Sequence, residues 1–206
     1  LKEAQEKGYA ERNPEADVEG YDACRKIAIL SSLMCCKNVK YEEIYTEGIT
    51  KITATDFVYA RAMGRTIKLL AQSKEVDGKL FAMVAPFMIS HDNPLYMVND
   101  VFNAVCVHGN MLGDSMYYGK GAGKLPTASA VVADVVDAAK HLHTNIMTMW
   151  DSKKLKLEDK ADAKRRFFVR IKGDVESLVQ ELKESFGEIK VVRVEGLDDE
   201  FGFITP

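Results

Sequence analysis

Two runs of strand-forming residues face each other across one short turn, and that pairing narrows the folds open to this chain more than any other feature. RTIKLLAQSKEV, residues 65–76, reads as a strand, and KLFAMVAPFMIS, residues 79–90, reads as its antiparallel partner. Asp77-Gly78 between them is a tight-turn dipeptide. Two more strands, FNAVCVH (102–108) and DSMYYG (114–119), are joined through Gly109-Asn110 and Gly113. The loop SHDNPLYMVND, built on Asn93-Pro94, separates the two hairpins. With helical patterns before and after them, four neighbouring antiparallel strands covered by helices on one face imply an α+β fold. Such a sheet leaves a face for a partner, so a dimer formed through the sheet is expected.

The chain has 206 residues, 47% of them apolar, enough to bury a sizeable core. A net charge of −3 gives no electrostatic reason to expect nucleic acid or a membrane surface. No apolar run approaches the roughly 20 residues of a membrane helix, and no signal peptide opens the chain. Leu1 at the start and the strand-like FGFITP at the end read as cuts through a longer protein. Cys24, Cys35, Cys36 and Cys106 form no CxxC pair, and buried thiols in a reducing cytoplasm are expected. His91, His108, His141 and His143 show no ligand spacing, the last two pointing apart on an expected helix, so no metal site is expected.

The polar residues are densest in AQEKGYAERNPEADVEGYDACRK, residues 4–26. Asn13-Pro14 opens a turn, and Gly20 frees the backbone before a helix expected from about Tyr21 to Met34. Asp22 and Lys26 are four apart and share one face of that helix, while IAILSSLM beyond them is apolar. By spacing alone such a pair is commonly a surface tie of a few tenths of a kcal/mol. The same residues stand where a buried helix meets a loop, a place where site residues are held rigidly.

Ala4, Gly8-Tyr9-Ala10, Asn13-Pro14, Asp17-Val18, Gly20, Asp22 and Lys26 together resemble the signature of homoserine dehydrogenases, A-x3-G-Φ-A…[DN]-P-x2-D-Φ-x-G-x-D-x3-K, with every fixed position met. The resemblance continues through YTEGITKIT, a polar connector broken by Gly48, into a helix ATDFVYARAMG that Thr53 caps and Gly64 ends. It returns in YYGKGAGKLPTASAVVADVVD, residues 117–137, which is similar to a second signature of these enzymes. By itself that glycine loop is neither a dinucleotide fingerprint, since Lys124 holds the sixth place of GxGxxG, nor a P-loop, since Leu125 follows the lysine. Beyond it a helix opened by Pro126-Thr127 carries Val131, Val132, Val135, Val136, Ala139 and Leu142 as a stripe.

DSKKLKLEDKADAKRR, residues 151–166, is highly charged and reads as a solvated linker. FFVRIKG, the amphipathic VESLVQELKESFG, KVVRVEG and FGFIT then give a strand–helix–strand–strand unit. That unit resembles the first part of an ACT-type (ferredoxin-like) regulatory module, incomplete at this length. The expected division is a catalytic, substrate-binding and dimerisation domain over 1–150, a linker over 151–164 and a partial ACT-like domain over 165–206.

The resemblance implies interconversion of L-homoserine and L-aspartate 4-semialdehyde with NAD or NADP, and a cytoplasmic, homodimeric enzyme of threonine, methionine and isoleucine biosynthesis. It makes Lys26 the catalytic proton donor and Glu11 the carboxylate that holds the substrate's ammonium. It makes Asp17 and Asp22 the acids that position substrate and lysine, with Tyr9 beside them, and Gly121 and Gly123 the cofactor contacts. Asn13 and Ala16 depart from members with an acid at either place, which changes the outer shell. An amino-acid effector such as threonine is the partner a complete ACT-like domain would add. No nucleotide-binding unit occurs in these residues, so the chain alone is expected to be inactive. The competing reading is a non-catalytic dimeric amino-acid-binding module, in which Lys26 and Glu11 are structural.

Overall fold

The computed structural model describes residues 2–6, 8 and 12–206, and of Glu3 and Ala4 the backbone alone. Tyr9 and Glu11, expected at the substrate, lie outside the described residues. In chain order the elements are α1 (Lys2–Glu6), α2 (Glu15–Val18), α3 (Tyr21–Cys35), β1 (Lys37–Asn38), β2 (Tyr45–Thr46), α4 (Ala54–Ala62), β3 (Arg65–Val76) and β4 (Lys79–Ser90). They continue with β5 (Phe102–Gly109), β6 (Gly113–Lys120), α5 (Lys124–Lys140), β7 (Asp151–Lys154), β8 (Phe168–Lys172), α6 (Val175–Phe186), β9 (Lys190–Val192) and β10 (Glu200–Ile204). The result is a mixed α+β arrangement.

The long hairpin forms as the sequence requires. β3 and β4 pair antiparallel from Arg65–Ser90 to Val76–Lys79, and Asp77 and Gly78 both take positive φ at the turn. β2 adds parallel to β4, giving the order β2-β4-β3. Alternation then decides the faces: Leu80 and Val84 on β4 point to α3, where Cys24 and Ala28 close a core with Val39 and Ile44. Val84 is fully buried. The buried hydroxyl of Ser32 donates to the Ala28 carbonyl (2.8 Å) and accepts from the Val39 N–H (2.9 Å), locking the chain that leaves α3.

Three expectations change. First, the four strands do not form one layer: β5 and β6 pair only with each other, because the 3-10 turn at Pro94–Met97 redirects the chain after β4. The cation of Lys68 holds that connection, donating to the Val98 carbonyl and, at 2.7 Å, to Asn99 Oδ1. Second, α3 is buried on one side only. Beyond Lys26 it carries apolar residues on both sides, and Ile29, Leu30, Leu33 and Met34 remain exposed on the far side. Third, the charged segment after residue 150 is no free linker. β7 pairs parallel with β1, the Glu158 N–H donates to the Leu80 carbonyl, and Leu155 and Leu157 pack on the main core. Leu155 and Leu157, one residue apart, are the apolar residues that this otherwise charged segment turns to the core.

The C-terminal unit folds as strand, helix, strand, strand. β10 lies between β8 and β9 and is antiparallel to both, a split βαβ arrangement with α6 packed behind it. Phe201 and Phe203 are fully buried against Val175, Leu178 and Leu182 of α6. Asp174 caps α6 by accepting from the Ser177 N–H at 3.0 Å.

α5 begins at Lys124, three residues before the expected Thr127, and ends at Lys140, leaving His141 and His143 beyond it. None of its residues is buried, and Val131, Val132, Val135 and Val136 stand exposed. No helix among the described residues is long and apolar enough to cross a membrane.

Candidate functional site

The polar cluster is built on the sharp entry to α3. α2 ends at Val18, and Gly20 takes φ of +78°, a left-handed conformation that only glycine adopts without strain. The Gly20 carbonyl then accepts from the Cys24 N–H at 2.9 Å and starts the helix. A Cβ on Gly20 would come within 3.0 Å of Val84 Cγ1, so this turn is pressed onto the centre of the sheet.

From that anchor the expected residues fall out in sequence. Asp17 is exposed on α2, Asp22 stands in the first turn of α3, and Lys26 follows one turn on. Lys26 Nζ is 2.7 Å from Asp22 Oδ2, the pairing that the spacing predicts. The lysine side chain is 70% exposed and the aspartate 49%, so the pair faces open solvent. Its free energy as a surface tie is about 0.5 kcal/mol or less.

A second segment comes up beside it that spacing arguments passed over. Gly48, in the connector between β2 and α4, is buried, and its neighbour Ile49 donates its N–H to the Val18 carbonyl at 2.8 Å. A Cβ on Gly48 would sit 2.2 Å from that carbonyl and 2.5 Å from Glu19 Cα, so no side chain fits. Glu47 accepts from the Tyr45 hydroxyl at 2.7 Å. Together Glu19, Tyr21, Tyr45, Thr46, Glu47, Gly48, Thr50 and Lys51 line a hollow of about 170 Å³. Asp17, Asp22 and Lys26 do not line it. The available signal was Glu47-Gly48 itself, a glycine in a polar connector that resembles the middle of the same enzymes.

The glycine loop lies elsewhere on the molecule. Gly121 donates its N–H to the Val101 carbonyl at 3.1 Å, and a Cβ there would collide with Asn103. Gly123 caps α5, with the Thr127 N–H (3.1 Å) and hydroxyl (2.9 Å) both bonded to its carbonyl. The N–H groups of Lys124 and Leu125 at the helix start have no acceptor within the helix, which suits an anionic group.

The homoserine dehydrogenase family model matches residues 1–136, about two thirds of the chain. The chain belongs to the homoserine dehydrogenase family. It is 40% identical over 207 residues to the homoserine dehydrogenase of Mycobacterium leprae, covering 95% of this chain and 47% of the relative. The crystal structure of a homoserine dehydrogenase from Thiobacillus denitrificans superimposes with a TM-score of 0.83 at 31% identity, covering all of this chain and 50% of that one. A hyperthermophilic archaeal homoserine dehydrogenase mutant in complex with NADPH matches 68% of this chain and 39% of its own, with a TM-score of 0.53 and 34% identity. The chain spans about half the length of the curated relatives it matches.

Proposed function

We propose that this chain supplies the substrate-binding half of an NAD(P)-dependent homoserine dehydrogenase interconverting L-homoserine and L-aspartate 4-semialdehyde. The observation that carries the reading is the Asp22–Lys26 pair, 2.7 Å apart at the start of a helix that Gly20 fastens to the sheet. Lys26, held by Asp22, delivers a proton to the oxygen that becomes the homoserine hydroxyl and stabilises negative charge developing there. Asp17 and Glu11 offer the anionic partners an amino-acid ammonium needs, with Tyr9 beside them. The nicotinamide, when bound, supplies or accepts the hydride. Gly121 and Gly123 are its contacts in this chain, supported by the N–H groups that a helix start leaves without an intrahelical acceptor and by the NADPH complex of the archaeal relative.

In this reading residues 1–150 form the substrate and dimerisation domain, 151–164 the connection and 165–206 a partial ACT-like unit, in a cytoplasmic homodimer of threonine, methionine and isoleucine biosynthesis. An effector such as threonine belongs to a complete ACT-like domain. The nucleotide is held mainly by residues outside this chain, and the open, solvent-facing Lys26 closes against them. The chain alone is therefore inactive, and turnover above background by the 206 residues would overturn that claim.

Calorimetric titration of homoserine into the chain, with Glu11→Gln and Lys26→Ala beside it, tests the pocket. Binding weakened in both variants supports the assignment. Wild-type affinity in both favours the non-catalytic module. Should the chain alone bind nothing, the same variants in the full-length enzyme decide: kcat unchanged in Lys26→Ala removes the lysine from the chemistry.

A further inference from the structure

A wide cleft lies away from Asp22 and Lys26, neither of which lines it. It has a volume of about 1460 Å³ and is lined by residues of β3 and β4 and by residues of the C-terminal unit. Arg65, Lys160, Arg165, Arg166, Lys190 and Arg193 line it. Among the described residues none of these six has a carboxylate within 4.0 Å. The carboxylates that also line the cleft are already engaged. Glu47 accepts from Tyr45 at 2.7 Å, Asp56 is held by Arg170 at 3.0 Å, and Glu188 lies 3.1 Å from Lys183. A chain with a net charge of −3 thus gathers six cations without a carboxylate partner around one opening.

Arg165 makes the arrangement more than a scatter of surface charge. Its Nη1 donates to Gln72 Oε1 at 3.0 Å, its guanidinium sits 5.8 Å from the Phe87 ring centroid, and its Nε is buried without a partner. A guanidinium fixed in that way, with no counter-charge, costs free energy until an anion arrives. Burial lowers its affinity for its proton in the same direction. Lys160 is likewise placed, with Nζ 3.2 Å from the Tyr45 ring centroid. Pro86, Phe87 and Val191 are among its apolar lining.

We propose that this cleft binds a small organic polyanion carrying phosphate or carboxylate groups, held by Arg165 and Arg166 together with Lys190 and Arg193 across the cleft. The ligand joins the substrate unit to the C-terminal unit, because its cations come from both. Tyr45, Glu47 and Lys51 line this cleft and also the hollow beside Gly48, so a bound anion reaches the connector that packs on the α2–α3 turn. Binding itself does not depend on the homoserine assignment.

The test titrates the chain with sodium pyrophosphate and, separately, with sodium citrate at matched ionic strength, read by calorimetry and by melting temperature. Arg166→Gln, Lys190→Gln and Arg165→Gln are compared with Lys140→Gln, which lies at the end of α5 outside the cleft. The expected result is saturable binding of one anion per chain, weakened about tenfold in each exposed cleft variant and unchanged in Lys140→Gln. Tighter pyrophosphate identifies phosphate groups and tighter citrate identifies carboxylates, each in support. Absence of saturable binding, or equal weakening in Lys140→Gln, overturns the proposal. So does light scattering that shows a dimer broken by Arg166→Gln with no anion bound, since a second copy then fills the cleft.

Discussion

At the scale of single residues, Gly48 decides more than any charged side chain whether the site can form. Its missing Cβ lets the connector lie on the Val18 carbonyl, and nothing in that backbone contact can yield. Gly48→Ala is expected to cost about 2–3 kcal/mol, seen as a lower melting temperature and as lost homoserine binding. Asp22→Asn separates the two roles in the opposite way. The pair is exposed, so stability changes by about 0.5 kcal/mol at most, while kcat of the complete enzyme falls by about a hundredfold. Chemical denaturation and steady-state kinetics on one preparation check both halves. Tyr59 supplies a pH signature. It is fully buried, and burial first, then the charge of Glu200, pushes its phenol above the usual range. The folded state thus keeps the proton more tightly than the unfolded chain. This contribution to stability is whole below the ordinary tyrosine pKa of about 10 and is lost as pH rises through the folded value. Tyr59→Phe should flatten the alkaline fall in melting temperature; an unchanged alkaline limb would remove Tyr59 as its cause.

At the scale of elements, α4 is the joint between the two units. Its first turn carries a capping box, with the Thr53 N–H and hydroxyl both donating to Asp56 Oδ2 at 2.7 Å. The other carboxylate oxygen accepts from Arg170 of β8 at 3.0 Å, and Arg170 Nε lies 3.7 Å from Glu200 of β10. Behind this clasp Tyr59 packs on Phe168, ring centroids 5.6 Å apart. Arg170→Ala leaves Asp56 and Glu200 without their cation and is expected to cost about 2 kcal/mol. Limited proteolysis should then cut between the units before either unfolds. α5 has the opposite character, since packing covers none of its residues. Hydrogen exchange is expected to be fastest there among the helices longer than ten residues, and slowest in α3 and its strands.

At the scale of the whole molecule, the outer sides of α3 and α5 present valines, leucines and a methionine to solvent. A chain with that much uncovered apolar helix surface is expected to associate, and a dimer by light scattering is the predicted outcome in the reading advanced above. A monomer at micromolar concentration would count against the dimer.

Local rules carried a good deal of this architecture in the sequence alone. The Asp77-Gly78 hairpin, the Thr53 cap, the Asp22–Lys26 pair and the apolar stripe of α6 each depend on neighbours within a few residues, where turn chemistry and helical period decide the outcome. What stayed hidden depends on which surfaces meet. No local pattern announces that Leu155 and Leu157 are drawn onto the core, that β5 and β6 stand apart from β3 and β4, or that Gly48 rests on Val18. The same holds for the cations gathered over one cleft from β3, the segment after β7 and the chain around β9, since they are far apart in sequence. The sequence by itself determined the two hairpins, the longer helices and the signature residues they carry. Only the tertiary structure decided which faces were covered and which charges were left without partners, because burial and pairing are properties of surfaces in contact.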